Sequence, residues 1–143
     1  MLLNQTAEYA FRAMSCLAIH HNDGPVRSKV LSARANVPPF YLSKVMRRLV
    51  VAGLVNSQRG HGGGFQLAHP PDKISFLEIL DAVDYQAEQG RCAFGLGSCN
   101  LSSPCPMHDA WTALQGNFLS WARNNNLGDL AGGTCSASPD LDT

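Results

Sequence analysis

The stretch from Ser28 to Leu67 constrains this chain more than any other part of its 143 residues. Ser28 to about Ala35 reads as a short helix with Ser28 as candidate N-cap, and Asn36-Val37-Pro38 breaks it. A second helix starts at Pro39, where proline is tolerated as the first helical residue. It directs Phe40, Leu42, Val45, Met46 and Leu49 inward until Gly53 closes it. Leu54-Val55-Asn56-Ser57-Gln58 and Phe65-Gln66-Leu67-Ala68 then flank a tip at Arg59-Gly60-His61-Gly62-Gly63-Gly64, the pattern of a β-hairpin ended by Pro70 and Pro71. Two short helices joined by a tight turn and followed by such a hairpin match a helix-turn-helix with a wing.

The flanks are helical. Thr6 to about His20 places Leu3, Ala7, Ala10, Phe11, Met14, Leu17 and Ala18 on one face, with Thr6 as a possible N-cap and Asn22-Asp23-Gly24-Pro25 as the stop. Ser75 to Asp84 buries Phe76, Ile79, Leu80 and Val83. From Pro106 to about Asn125, the apolar residues Met107, Trp111, Leu114, Phe118 and Trp121 recur at alternating intervals of four and three. That spacing fits a coiled-coil-like seam and equally a stripe facing the chain's own core. The Gly/Ser/Asp-rich end from Ala131 is expected to be disordered.

The formal net charge is zero, but the charges are segregated. Between Gly24 and Pro71 there are seven basic residues and no Asp or Glu, whereas from Asp72 onward nine acidic residues accompany three basic ones. A purely basic middle suits a phosphate-facing module; an uneven solvated surface is the plain alternative. The N-terminus lacks a basic region followed by an apolar core, no apolar run is long enough to span a bilayer, and a cytoplasmic location with no membrane partner is expected. No paired carboxylates, nucleophile–base arrangement or cofactor loop stands out, and an enzyme is not expected.

A DNA-reading helix presents polar side chains near its N-terminal half and buries the opposite face. In the Pro39 helix, Tyr41, Ser43 and Lys44 suit base edges and nearby phosphates, and Arg47 and Arg48 suit backbone contact or, equally, an internal salt bridge. Ser28 and Lys29 can hold phosphate at a helix start. At the wing tip, Arg59 beside His61 and the glycines suits a narrow minor groove, and four glycines exceed what a plain turn requires. Double-stranded DNA is the expected partner.

Cys92, Cys99 and Cys105 have six and five residues between them, and His108 follows shortly after. Soft thiolates in a glycine-containing loop select zinc, copper(I) or an iron–sulfur centre, and spacing does not choose among them. The intervals are close to those of CCCH zinc fingers, and a zinc-stabilised nucleic-acid-binding protein without a sensing role is the alternative. A small buried residue is the preferred reading of Cys16, and Cys135 falls in the tail.

Taken in order, these segments resemble the IscR/NsrR/RirA type of winged-helix iron–sulfur regulator up to about Ala131. The resemblance rests on Glu8-Tyr9-Ala10, Tyr41-Leu42, Ala52-Gly53-Leu54-Val55, the wing from Arg59 to Leu67, Ile79 through Asp84, the cysteine triplet and Leu127-Gly128-Asp129-Leu130. It implies a mainly α fold with a small β-hairpin wing: a winged helix-turn-helix domain at 1–84, a cluster-binding loop at 85–105, a dimerisation helix at 106–130 and a tail at 131–143. It further implies a homodimer on a palindromic operator, acting as a repressor that senses iron, redox or nitric oxide status. The fourth ligand would be His108 with a 2Fe–2S cluster, as in the IscR branch, or Glu8 of the partner subunit, where 4Fe–4S clusters also occur. The first of these is preferred. The interval between Cys92 and Cys99 is one residue longer than in the IscR branch. Glu8 also fits a simple pair with Arg12 one helical turn away.

Overall fold

Asn4 starts the first helix. Its side-chain oxygen accepts a hydrogen bond from the Ala7 backbone N–H at 2.8 Å, satisfying one of the amides that a helix start leaves unpaired. The cap is therefore Asn4 and not Thr6, which already lies inside the helix. The computed structural model describes residues 3–84, 106–130 and 133. Within them run α1 (Gln5–Ile19), α2 (Ser28–Ala35), α3 (Pro39–Val51), β1 (Val55–Gln58), β2 (Gly64–Leu67), α4 (Phe76–Ala82) and α5 (His108–Asn124), with 3₁₀ turns at Pro71–Lys73 and Leu127–Leu130.

Helix α1 is the centre of the body. Ala7, Ala10, Ala13, Met14 and Cys16 are fully buried, and α1 packs against α2, α3, α4, β2 and the Leu127–Leu130 turn. Its small residues let these elements approach from several sides, and Cys16 is one of them. Leu31, Leu42, Met46, Leu49, Ile79 and Leu80 complete the core.

The turn between α2 and α3 depends on Asn36, whose backbone is left-handed at φ 55°. Inside it the buried Ser32 hydroxyl donates to the Val37 carbonyl. Helix α3 ends at Gly53, at φ 81°, where the Gly53 N–H reaches the Val50 carbonyl and the Leu54 N–H reaches that of Leu49. This double bond pattern satisfies the last carbonyls of the helix and turns the chain directly into β1.

Strands β1 and β2 pair antiparallel, with Val55 opposite Leu67 and Gln58 opposite Gly64. Val26 adds a short third rung, since its N–H and carbonyl both bond Phe65 at 2.8 Å. That rung explains Gly64, where an added Cβ would lie 2.4 Å from the Val26 carbonyl oxygen. At Gly63 it would lie 2.3 Å from the Gln58 carbonyl oxygen, and Gly60 and Gly62 sit at φ +91° and +77°. Backbone geometry alone thus accounts for all four glycines, which corrects the argument from their number.

After α5 the chain returns to the body. The Leu127 N–H bonds the Ile74 carbonyl at 3.0 Å, the Phe76 N–H bonds that of Asn125 at 3.1 Å, and Leu127 is buried. Phe11, Phe76, Phe118 and Trp121 form an aromatic cluster beside this seam, with the Phe76 and Trp121 rings stacked 5.1 Å apart. The described residues contain no helix long and apolar enough to cross a membrane.

Candidate nucleic-acid interface

The buried stripe of α3, formed by Leu42, Val45, Met46 and Leu49, decides what its other side displays. Tyr41, Ser43, Lys44 and Arg47 are all exposed. Tyr41 is nonetheless held: its ring lies 5.7 Å from that of Tyr9 on α1, and the Tyr9 hydroxyl accepts from the Gln5 side chain at 3.0 Å. The Ser43 hydroxyl donates to the Pro39 carbonyl at 3.1 Å, one turn back along the helix. The Lys44 ammonium sits 4.4 Å from the centre of the Phe40 ring. Arg48 bonds inward, donating to the Val83 carbonyl at 3.1 Å just past the end of α4. Both arginines are exposed, and Arg48 is anchored to the body through its bond to Val83.

Phe40 departs from expectation. It is 65 % exposed, although the sequence pattern placed it inward. It precedes Leu42 by two positions, which puts it on the opposite side of the helix, and it shares its row with Lys44, Arg47 and Val51. The helical phase set by the four buried residues contained this signal, and apolar character alone obscured it.

Ser28 is the first residue of α2 and not its cap; Arg27 holds the cap position and makes no side-chain cap bond. Ser28 and Lys29 are both exposed. Arg27 and Ser28 line an open groove of about 370 Å³ together with Gln58, Gly60, His61, Gly63 and Gly64 of the hairpin. The structure therefore joins the start of α2 to the wing tip, through the Val26–Phe65 rung beneath. Arg27 and Gln58 are the residues of this groove that the sequence reading passed over; the charge of Arg27 was visible, its neighbourhood was not. Arg59 and His61 are exposed at the tip. Two clusters result, one on the N-terminal half of α3 and one at the α2–wing groove, with no described carboxylate between Gly24 and Pro71 in either.

The metal-ligand candidates divide differently. Cys92, Cys99 and Cys105 lie outside the described residues, as do the loop at 85–105 and most of the tail at 131–143. His108 is described: it is the first residue of α5, half-buried, next to the Met107 cap position. Glu8 is occupied by Arg12, whose guanidinium lies 2.6 Å from its carboxylate and also donates to the Asn36 carbonyl at 3.1 Å. This ion pair ties α1 to the turn between α2 and α3. The donor set of three thiols and an imidazole has the soft character that a thiolate-bound iron–sulfur cluster requires.

Comparison with known proteins places this geometry in context. A family profile for Rrf2, described as an iron-dependent transcriptional regulator, matches residues 3–133. The helix-turn-helix transcriptional regulator IscR of Aliivibrio salmonicida is 34 % identical over 130 residues, covering 91 % of this chain and 77 % of that protein. Among solved structures, T. potens IscR superimposes with a TM-score of 0.71 at 25 % identity, covering 90 % of this chain and 84 % of that one. CymR, the global cysteine regulator of B. subtilis, has the same fold, with a TM-score of 0.76 at 24 % identity over 92 % of this chain and 97 % of its own.

Proposed function

Because the chain belongs to the Rrf2 family of transcriptional regulators, we propose that it is a homodimeric repressor whose affinity for a palindromic operator is set by an iron–sulfur cluster. The observation that carries this reading is the position of the cysteine triplet, inserted between α4 and α5 of a winged-helix chain that matches IscR. Tyr41, Ser43, Lys44 and Arg47 would enter a major groove, Arg59 and His61 an adjacent minor groove, and Ser28 and Lys29 would hold phosphates. Division into a DNA-binding domain at 1–84, a cluster loop at 85–105 and a dimerisation helix at 106–130 follows from these roles.

Cys92, Cys99, Cys105 and His108 would hold the cluster, of the 2Fe–2S type, with Glu8 of the partner subunit as the competing fourth ligand. The bound group would supply reversible one-electron redox chemistry and ligand exchange at iron held by the thiolates. The end of α4 is tied to the DNA-reading helix, because Arg48 of α3 donates to the Val83 carbonyl just past Ala82. Cluster loss or modification would bias the setting of α3, the two-state element that a switch requires.

The test is the visible absorption spectrum of protein purified without oxygen, combined with operator binding before and after cluster removal. A coloured sample with thiolate-to-iron bands and a DNA affinity that changes on cluster removal is expected. A colourless sample containing stoichiometric zinc, which unfolds on chelation, would replace the sensor with the zinc-stabilised nucleic-acid-binding protein.

A further inference from the structure

We propose that Phe40 is a specificity-determining residue that reads the 5-methyl group of a thymine in the major groove of double-stranded DNA. This rests on the assignment of α3 as the DNA-reading helix and deepens it.

The ring is a large apolar surface held in place beside Lys44 and Arg47, at the N-terminal end of a row whose far end is the exposed Val51. Phe40 is 65 % exposed at the second position of α3, directly after the proline that begins the helix. Its neighbour Tyr41 meets it edge-on, with ring centroids 5.6 Å apart, and Tyr41 is in turn held against Tyr9 of α1 at 5.7 Å. On the other side the Lys44 ammonium lies 4.4 Å from its centroid. The ring is thus braced by an aromatic chain anchored in the body, so little freedom remains to be lost on binding.

The choice of occupant follows from the charge around it. Helix α3 carries Lys44, Arg47 and Arg48 and no carboxylate, and the neighbouring turn and wing carry none either; Asp81 and Asp84 meet the basic residues in a groove that runs toward the Val51 end of α3, away from Phe40 at its start. A protein surface docking on an exposed Phe is not required to be anionic on all sides; a DNA major groove is, because its apolar methyl groups are flanked by phosphates. Thymine is the base that presents such a methyl there, and aromatic or small apolar side chains are its usual partners. Lys44, lying over the ring, would then point its charge toward the phosphates that border the same base step.

The experiment uses the full chain, loaded with cluster and without it, and duplexes selected by that chain from a random-sequence DNA library. In a selected duplex each thymine is replaced in turn by deoxyuridine, which removes only the methyl group, and Kd is read by fluorescence anisotropy. One thymine per half-site should weaken binding about three- to fivefold when its methyl is removed, the worth of one buried methyl. Phe40→Ala should bind the thymine and deoxyuridine duplexes equally, and Phe40→Leu should keep the discrimination. A Phe40→Ala protein that still responds to deoxyuridine at the same position as the parent overturns the proposal, even if its overall affinity has fallen. If Tyr41→Ala and Lys44→Ala weaken binding while Phe40→Ala changes nothing, Phe40 alone is misassigned. If none of the three matters, the assignment of α3 itself fails and takes Phe40 with it.

Discussion

Helices α1 and α5 are similar in length, 15 and 17 residues, and both read as amphipathic, yet the fold treats them in opposite ways. Seven residues of α1 are buried, on more than one side, whereas in α5 only Ala122 is. The difference lies in side-chain size and in what each helix meets. Alanines and a cysteine let α1 be surrounded at short range, so its stability comes from the domain itself. Helix α5 carries Trp111, Leu114, Phe118 and Trp121 after its cap residue Met107; its C-terminal end is stitched to the body through the backbone, while Met107, Leu114 and Trp121 remain exposed. The homodimer proposed above would cover such a seam.

The strongest way to break this contrast is Met14→Ala. Met14 is fully buried in α1, and the cavity should cost about 2–5 kcal/mol, read from the midpoint of urea unfolding. A loss below about 1 kcal/mol would mean that α1 is not the packing centre. Leu114→Asp tests the opposite case. It should leave the helical circular-dichroism signal intact and raise the dissociation constant of the proposed dimer by at least about tenfold in light-scattering dilution series. An unchanged dimer would assign the α5 seam to some other contact. The smallest effect sharpens the comparison at the helix starts, since α1 has a side-chain cap and α5 begins at Met107 without one. Asn4→Ala should cost about 1 kcal/mol of stability, whereas Met107→Ala should have no capping effect.

Much of this was legible before any coordinates. The strongly periodic helices, the start of α3 at Pro39 and the hairpin are where the sequence pattern puts them, because apolar period and turn chemistry are local properties. The departures have local causes too. Asn4 and Thr6 are both capping types, and only backbone geometry decides which carries the bond to Ala7. At Phe40 apolar character points inward, but the phase of Leu42, Val45, Met46 and Leu49 places it outward, and the phase prevails. Of the candidate site, the basic residues of α3 and the wing could be chosen from the chain's charge segregation. Their grouping into an α3 cluster and an α2–wing groove could not.

The sequence by itself determined the order of elements, the acid-free basic middle and the set of thiol and imidazole donors, because residue type and near-neighbour spacing are written in it directly. Tertiary structure alone decided the Val26–Phe65 rung that forces a glycine at position 64, the inward turn of Arg48 toward Val83, and the return of Leu127 onto Ile74. Each of these joins residues far apart in the chain through a backbone carbonyl or N–H. Every residue except proline carries both groups, so no side-chain pattern marks which of them will meet.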